Sequence, residues 1–301
     1  LATPDEDVTL DGKLDEKVYQ DNNWLYLHNE NGASTVDVAA TSWFGKNGLY
    51  FAYDVTETTP IYVNPVRSSF MNSGIEMYLA MPGVASMNDE NSFEIDLQAD
   101  GTLTMKRRDG YGFTDVATTH DIMARLAVAT KGGKVNSEDC KGYTMEFFIP
   151  WDYLDYLGID SAKVQKEYVH VDVAHITSYN YAGTDPNVDR TWHSFVMQNG
   201  VGWGDFANYF GFNGKGVMGT VPVTWVAGEH YSFSGAKTAL PGMNTVVTVT
   251  PDEGYALSSI LVNGEEYIHK VSYNEDGSVT LNLKATDKGL TISAKAEAIT
   301  P

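Results

Sequence analysis

Apolar and polar residues alternate along most of this chain, and short groups of Gly, Asn and Asp interrupt the alternation. The segment 93–97 shows the pattern, with Glu94 and Asp96 on one predicted face and three apolar residues on the other. Asp100 and Gly101 then form a typical hairpin turn. Helical periodicity is nearly absent from the sequence. Many short strands at close spacing predict an all-β chain folded as a β-sandwich.

One short helix is the exception to this pattern. Pro150 precedes residues 151–157 and Gly158 follows them, which is the usual placement of proline and glycine around a helix. We therefore predict a helical connection between two strands at this point.

A change in composition divides the chain before its last quarter. Residues 214–222 are rich in glycine and other turn formers, whereas the predicted strands on both sides are denser. With 301 residues, the chain is long enough for two domains. We predict a β-sandwich domain over residues 1–218, and a smaller β-sandwich spacer of five short strands over residues 219–301.

The chain is strongly acidic, with 40 acidic and 20 basic residues and a formal net charge of −20. Such a surface repels phosphate backbones and anionic lipid heads, which argues against nucleic-acid and membrane-surface partners. The sequence also contains no apolar run of about 18 residues, so no membrane insertion is predicted. A neutral ligand, or divalent cations held by carboxylates, suits this charge better; solubility alone is the alternative explanation.

The residue types that commonly carry catalysis do not form a recognisable motif. The histidines lack the helical HExxH spacing, and the single Cys140 excludes both a zinc-binding cysteine cluster and an intrachain disulfide. His170 and Asp172 share a predicted strand face, as do Glu94 and Asp96. The two carboxylates would stand about 7 Å apart, a separation that glycosidases can use. Acidic strand faces are common, however, so we predict no catalytic residue.

Two tryptophans lie in glycine-rich or polar segments and are candidates for binding a neutral sugar. Trp203 lies within the glycine-rich segment 200–205, and Trp192 follows a polar loop. The apolar C–H faces of sugars stack on aromatic rings, while their hydroxyls bond to carboxylate, amide and guanidinium groups. Three other tryptophans lie beside apolar strand residues and are assigned to the core: Trp24, Trp43 and Trp151.

Five short phrases occur in a characteristic order along the first 213 residues. They are LDGKLDE at 10–16, GLYFAYDV at 48–55, GIEMYL at 74–79, YTMEFFIPW at 143–151 and FGFN at 210–213. Their order and spacing resemble those of the family 9 carbohydrate-binding modules, from residue 8 to about residue 213. The resemblance implies a β-sandwich with a sugar slot between two aromatic side chains, of the kind appended to secreted xylanases.

The resemblance also implies a set of binding residues. Phe70 takes the place of the first family aromatic, Glu76 retains an acidic position, and Trp203 with Asp205 matches the second aromatic. Phe70 and Trp203 would hold the sugar ring, with Glu76 accepting hydroxyl hydrogen bonds. Two further binding residues complete the expected set: Trp192 and Glu94. Glu94 falls where sugar-binding members carry Arg, and a glutamate cannot supply the guanidinium fork.

The resemblances also bear on bound metal, on haem and on the C-terminal residues. No cofactor is required, but structural calcium is compatible with the acidic composition, and Glu57 matches a frequently acidic family position. Haem-binding domains share the sandwich superfamily, and in that alternative Met71 and His175 would be the axial ligands. Residues 254–264 resemble the small β-repeat modules of Gram-positive surface proteins.

Together, these resemblances imply non-catalytic binding of a plant polysaccharide or host glycan. The chain would be a piece of a larger secreted or cell-surface bacterial protein, tethered to further domains and located outside the cell. It would itself be no enzyme, although the parent protein could be one that acts on glycosides. The alternative is an adhesion or structural module that keeps the sandwich and has lost the sugar slot.

Overall fold

The computed structural model describes residues 3–31, 34–85, 89–109, 112–116, 123–195 and 204–299. The chain forms two compact units. The first contains the residues up to Asn22 together with Asn29–Met218, and the second contains Asn23–His28 together with the residues from Gly219 onward. The sequence pattern had not indicated that Asn23–His28 groups with the C-terminal residues.

Thirteen strands precede Gly219 within the described residues. They are β1 (Leu25–Asn31), β2 (Ser34–Phe44), β3 (Gly48–Glu57), β4 (Gly74–Ala80), β5 (Ser92–Gln98), β6 (Leu103–Asp109), β7 (Gly112–Asp115), β8 (Arg125–Gly132), β9 (Cys140–Pro150), β10 (Val169–Ser178), β11 (Arg190–Ser194), β12 (Phe210–Asn213) and β13 (Gly216–Val217).

These strands form two sheets. One has the strand order β1-β2-β3-β9-β8, and the other has the order β13-β12-β10-β4-β5-β6-β7. In the second sheet, β11 also pairs with β10, through the residues that follow those paired with β12. The pairings of the central strands are antiparallel in both sheets. Antiparallel sheets tolerate one solvated face, which leaves the outer face of each sheet free to carry polar side chains.

These two sheets pack face to face around an apolar core. Phe51 of β3 meets Phe212 of β12 with ring centroids 5.9 Å apart. The Tyr53 hydroxyl, also on β3, lies 3.2 Å from the sulfur of Met77 on β4. All four side chains are buried, so the alternating strands direct their apolar residues into one interior. The predicted all-β sandwich is confirmed.

A buried carboxylate fastens the N-terminal segment to this sandwich. Glu146 on β9 is fully buried and accepts hydrogen bonds from the backbone N–H groups of Asp11 and Gly12, at 3.0 and 2.8 Å. The Tyr19 hydroxyl donates to its other oxygen at 3.1 Å. Gly12 has φ +83°, and a Cβ atom there would overlap the backbone nitrogen of Ala129 on β8. The turn therefore requires glycine.

The described residues include three short α-helices: α1 (Lys17–Gln20), which precedes β1, and α2 (Trp151–Tyr156) and α3 (Ser161–Lys166), which lie between β9 and β10. The helix predicted after Pro150 is confirmed as α2, and the hairpin predicted at Asp100 and Gly101 joins β5 to β6. Of the tryptophans assigned to the core, Trp151 is buried, whereas Trp24 and Trp43 are half-buried. Within the described ranges, no helix has the length and apolar character needed to cross a membrane.

The second unit is also built from strands. They are β14 (Val221–Trp225), β15 (Tyr231–Gly235), β16 (Thr238–Ala239), β17 (Asn244–Pro251), β18 (Tyr255–Val262), β19 (Glu265–Glu266), β20 (Val279–Lys284) and β21 (Leu290–Ala298). One sheet has the order β16-β14-β21-β18-β19 and the other the order β15-β17-β20. Val247, Ile260, Leu281 and Ile292 from the two sheets share one apolar cluster. The resemblance of this unit to surface-protein repeats stays a prediction.

The contact at Gly12 generates a stability prediction. We expect Gly12→Ala to lower the free energy of unfolding of the first unit by more than about 3 kcal/mol, because the new methyl group overlaps backbone and the left-handed conformation disfavours alanine. Gly101→Ala is a matched control, since Gly101 has φ +90° and no neighbouring atom within 4 Å. It should cost only about 1 kcal/mol. Hydrogen exchange of the β3 and β9 amides measures both values, and equal losses would contradict the steric argument.

Candidate functional site

Polar and aromatic side chains gather on the outer face of the eight-stranded sheet. On β4 and β5, Met77 and Ile95 point into the core, so the alternate residues point outward. Glu76 is paired with Asp96 across the two strands, and Tyr78 is paired with Glu94. We call the following group the outer-face cluster: Ser69, Phe70, Glu76, Tyr78, Glu94, Asp96, Lys106, Arg190 and Trp192.

Trp192 reaches this cluster by crossing over β10. It is paired with Ile176, whereas Glu76 is paired with Ala174 two residues earlier on the same strand. Because Ala174 carries only a methyl group, the indole can pass over it, and Trp192 Nε1 donates to Glu76 Oε1 at 3.0 Å. The Tyr78 hydroxyl donates to the same oxygen. Glu76 is thereby held in one position and only 5% exposed.

Phe70 and Arg190 form the more open part of the cluster. Phe70 lies on a 3₁₀ turn, Ser69–Met71, and is 40% exposed. The guanidinium carbon of Arg190 lies 5.5 Å from the centroid of its ring, within cation–π distance. The same turn is anchored on β5, since Ser69 Oγ donates to Asp96 Oδ2 at 2.5 Å.

Part of the hydrogen-bonding capacity beside Phe70 is unused, and the atoms concerned are buried. Among the described residues, Asp96 Oδ1 and the Nε and Nη1 atoms of Arg190 have no hydrogen-bond partner. Lys106 Nζ, by contrast, donates to Glu94 Oε1 at 3.1 Å. Buried polar atoms without a partner are uncommon and often mark a place where water or a ligand binds. These three unpartnered atoms are buried, and they belong to residues that surround the exposed ring of Phe70.

The carboxylates of the cluster influence one another. Burial, and to a smaller extent the nearby charge of Asp96, raise the pKa of Glu76 to about 7, although the hydrogen bonds from Tyr78 and Trp192 oppose the shift. Burial also raises the pKa of Asp96, against the hydrogen bond from Ser69. Burial lowers the pKa of Arg190, although the charges of Glu76 and Asp96 favour its protonated form. The guanidinium therefore balances a closely spaced acidic pair.

Four of the predicted binding residues lie in this cluster: Phe70, Glu76, Glu94 and Trp192. Asp205 lies just before the 3₁₀ turn Phe206–Asn208, where its carboxylate accepts a hydrogen bond from Asn208 at 2.8 Å. That contact belongs to the turn and gives Asp205 no link to the cluster. Trp203, predicted as the second stacking aromatic, lies outside the described residues.

Sequence reasoning missed Arg190 as a site residue. The substitution of the family arginine by Glu94 had suggested that this face lacks a guanidinium group, but Arg190 brings one from β11. A usable signal was present, because Arg190 is two residues before Trp192 and alternate residues of a strand share a face. Asp96 was considered only as a possible catalytic partner of Glu94, and Tyr78 was not considered at all.

The other polar residues considered from the sequence have structural contacts. His170 Nδ1 lies 3.2 Å from the carbonyl oxygen of Tyr209, and Asp172 Oδ2 accepts from Ser194 Oγ at 2.7 Å. Each of the two side chains thus has its own partner.

The haem alternative does not agree with the structure. His175 points into the sandwich, where its Nε2 atom lies 2.9 Å from Glu57 Oε1. Glu57 Oε2 accepts a further hydrogen bond from Thr177 at 2.8 Å. The cavity that borders His175 measures about 10 Å³, which is room for one water molecule and far too small for a porphyrin. Met71 and His175 are therefore not haem ligands here.

The calcium expectation stays a prediction. Within the part of the chain that the structure describes, no group of three or more His, Cys, Asp or Glu residues is arranged to hold a metal ion. Glu57, the acidic residue singled out from the sequence, accepts a hydrogen bond from Thr177, and its other oxygen lies 2.9 Å from His175 Nε2.

The raised pKa of Glu76 generates a testable prediction. We expect Asp96→Asn to lower that pKa from about 7 while leaving it above the ordinary value of 4.5, because the charge of Asp96 is removed but burial remains. Carboxyl ¹³C NMR titration measures it, with Glu76→Gln to assign the resonance. Asp54→Asn, on β3, is the control and should leave the titration unchanged.

The same shift has a consequence for stability. Since the pKa of Glu76 is higher in the folded than in the unfolded chain, the folded state prefers the protonated form. The contribution of Glu76 to stability is therefore full below about pH 4.5 and declines as the pH rises through about 7. A Glu76 that titrates near 4.5 in the folded protein would contradict this assignment.

Comparison with known proteins found fold similarity only. No family model matches the chain, and no curated protein matches it. A family 9 carbohydrate-binding module from Caldicellulosiruptor kristjanssonii, solved with glucose, aligns with a TM-score of 0.44 and 13% identity, covering 68% of this chain and 90% of that one. A structure of such a module from the same organism with cellotriose gives a TM-score of 0.40 and 14% identity, covering 62% and 78%. Similarity at this level does not transfer a ligand from one protein to another.

Proposed function

We propose that the first unit is a non-catalytic carbohydrate-binding module whose ligand lies on the outer-face cluster. The observation that carries the proposal is the combination found around Phe70. An exposed aromatic ring lies beside a guanidinium with two unpartnered donor atoms, and Asp96 has an unpartnered acceptor on the same face. These three atoms are buried, so binding includes a movement of side chains that brings them into contact with the ligand. A sugar needs this combination, because each ring offers an apolar C–H face and hydroxyls that both donate and accept.

The proposed contacts follow from the geometry of the cluster. The sugar ring lies against Phe70, one hydroxyl accepts a hydrogen bond from Arg190, and the same or a neighbouring hydroxyl donates to Asp96. Trp192 and Tyr78 fix Glu76, whose carboxylate, when it is ionised, favours the charged form of the Arg190 guanidinium. Glu76 is then a positioning residue more than a direct ligand, in contrast to the role expected from the family resemblance.

The wider setting is part of the same proposal. A shallow site with one stacking ring and a few polar contacts binds weakly, so attachment to a longer chain with further binding sites would raise the effective affinity. The ligand would be a plant polysaccharide or host glycan, and the parent protein would be secreted or displayed on a bacterial surface. The acidic chain, with its net charge of −20, favours a neutral glycan over a polyanionic one.

Two substitutions test the site directly. Phe70→Ala removes the stacking ring and Arg190→Gln removes the charged donors, so each should weaken binding about fivefold or more. Glycan-array screening identifies the ligand, and calorimetry with xylan, cellulose or mucin oligosaccharides measures the affinity. Tyr156→Ala is the matched control, because Tyr156 is also an exposed aromatic of the first unit, at 55%, but lies on α2. Binding that survives both site substitutions would reject the assignment.

One observation favours a second candidate function, an adhesion or structural module without a sugar slot. Glu76 is almost fully buried and already accepts two hydrogen bonds from Trp192 and Tyr78, so the carboxylate expected to bind sugar is occupied within the protein. That module would give no signal on a glycan array although the chain is folded. A glycan signal lost in Phe70→Ala would decide for carbohydrate binding.

A further inference from the structure

The first unit contains a concavity of about 640 Å³ that is separate from the outer-face cluster. It lies at the open edge between the two sheets, where residues 3–10 pass β8 and the turn that leads into β6. Apolar side chains make most of its wall, including Val8, Leu10, Leu103, Met123 and Leu126. Both its volume and its apolar lining are typical of small-molecule sites.

Arg125 supplies the charged group in this wall. Its guanidinium carbon lies 5.2 Å from the centroid of the Phe148 ring, and its Nη2 atom is buried without a hydrogen-bond partner. Burial lowers its pKa, and the group that opposes this effect is the hydroxyl of Tyr50. A guanidinium nevertheless stays charged at any physiological pH.

The surrounding acidic groups do not compensate this charge. Within the described part of the chain, no carboxylate forms an ion pair with Arg125. Asp5, which bonds to Tyr50, directs its oxygens to that hydroxyl and to the backbone N–H groups of Lys46 and Asn47. In a chain with twice as many acidic as basic residues, an arginine left without a carboxylate in an apolar concavity is an unusual arrangement.

We propose that this concavity binds a monocarboxylic acid with an apolar body, such as a medium-chain fatty acid. The carboxylate accepts the in-plane hydrogen bonds of the Arg125 guanidinium, while the hydrocarbon chain lies against Leu10, Leu103 and Met123. Guanidinium and carboxylate match in a two-point geometry, which favours this anion over a neutral or cationic head group of equal length. The guanidinium face that lies over the Phe148 ring keeps this contact when the ligand binds, because the carboxylate binds in the plane of the guanidinium.

The experiment compares three eight-carbon probes that differ only in their head group: octanoate, 1-octanol and octylammonium. Binding is followed by the ¹³C-methyl resonance of Met123, assigned through Met123→Leu. Octanoate should shift this resonance and bind at least about tenfold more tightly than 1-octanol, and octylammonium should not bind. Arg125→Gln should reduce the affinity for octanoate to that for 1-octanol and leave the latter unchanged.

Two controls separate this site from charge effects and from the proposed glycan site. Lys134→Gln removes one positive charge at an exposed position just beyond β8, and octanoate binding should persist in it. Phe70→Ala, designed for the outer-face cluster, should also leave octanoate binding intact. Arg125→Lys keeps the positive charge without the paired donors of the guanidinium, so its affinity for octanoate should lie between those of the parent protein and Arg125→Gln. Hydrogen exchange of the β9 amides shows that each variant is folded.

Three outcomes would overturn the proposal. The first is equal affinity for octanoate and 1-octanol, the second is unchanged octanoate binding in folded Arg125→Gln, and the third is no shift of the Met123 resonance with any probe. Each outcome concerns this concavity alone, so carbohydrate binding at the outer-face cluster would be judged separately.

Discussion

The first unit depends on the hydrogen bonds that the buried carboxylate of Glu146 accepts. This side chain is fully buried, and burial raises its pKa to about 7 against the bonds donated by Gly12, Asp11 and Tyr19. Those three donors come from the segment before the first sheet, so one side chain of β9 fixes the course of the whole N-terminal segment. Two of the phrases that resemble the carbohydrate-binding family, 10–16 and 143–151, are thus parts of a single contact. Their shared presence in the sequence reflects a requirement of the fold and says nothing about the ligand.

Glu76 shows the other use of a buried carboxylate in this unit. Its pKa is also raised to about 7, but its neighbours include a second acid, Asp96, and its donors are the side chains of Tyr78 and Trp192. The donors to Glu146 belong to the N-terminal segment that it fastens to the sandwich. Glu76, by contrast, lies beside Asp96 and Arg190, which retain unpartnered polar atoms. Similar pKa values therefore accompany different surroundings, and the unpartnered neighbours of Glu76 mark the face on which we propose that a sugar binds.

Local patterns allowed much of the fold to be predicted from the sequence. Alternation along 93–97, the turn at Gly101 and the helix after Pro150 each depend on residues close in the chain, and each is confirmed. Contacts between distant residues were not accessible in this way. The approach of Trp192 to Glu76 depends on the pairing of β10 with both β4 and β11 and on the small side chain of Ala174. The grouping of Asn23–His28 with the C-terminal residues likewise has no local signal.

The two arginines that define the proposed sites share one physical arrangement. Arg190 lies over Phe70 and Arg125 lies over Phe148, and each has polar atoms without a hydrogen-bond partner among the described residues. An aromatic face stabilises a guanidinium through its π electrons without using the N–H groups, which lie in the plane of the cation. A carboxylate in the same place would occupy those donors. In a chain with 40 acidic residues, contact with a ring in place of an ion pair with an acid leaves these N–H groups without a partner in the protein. Both proposals depend on this property, because each assigns the missing acceptor to a ligand.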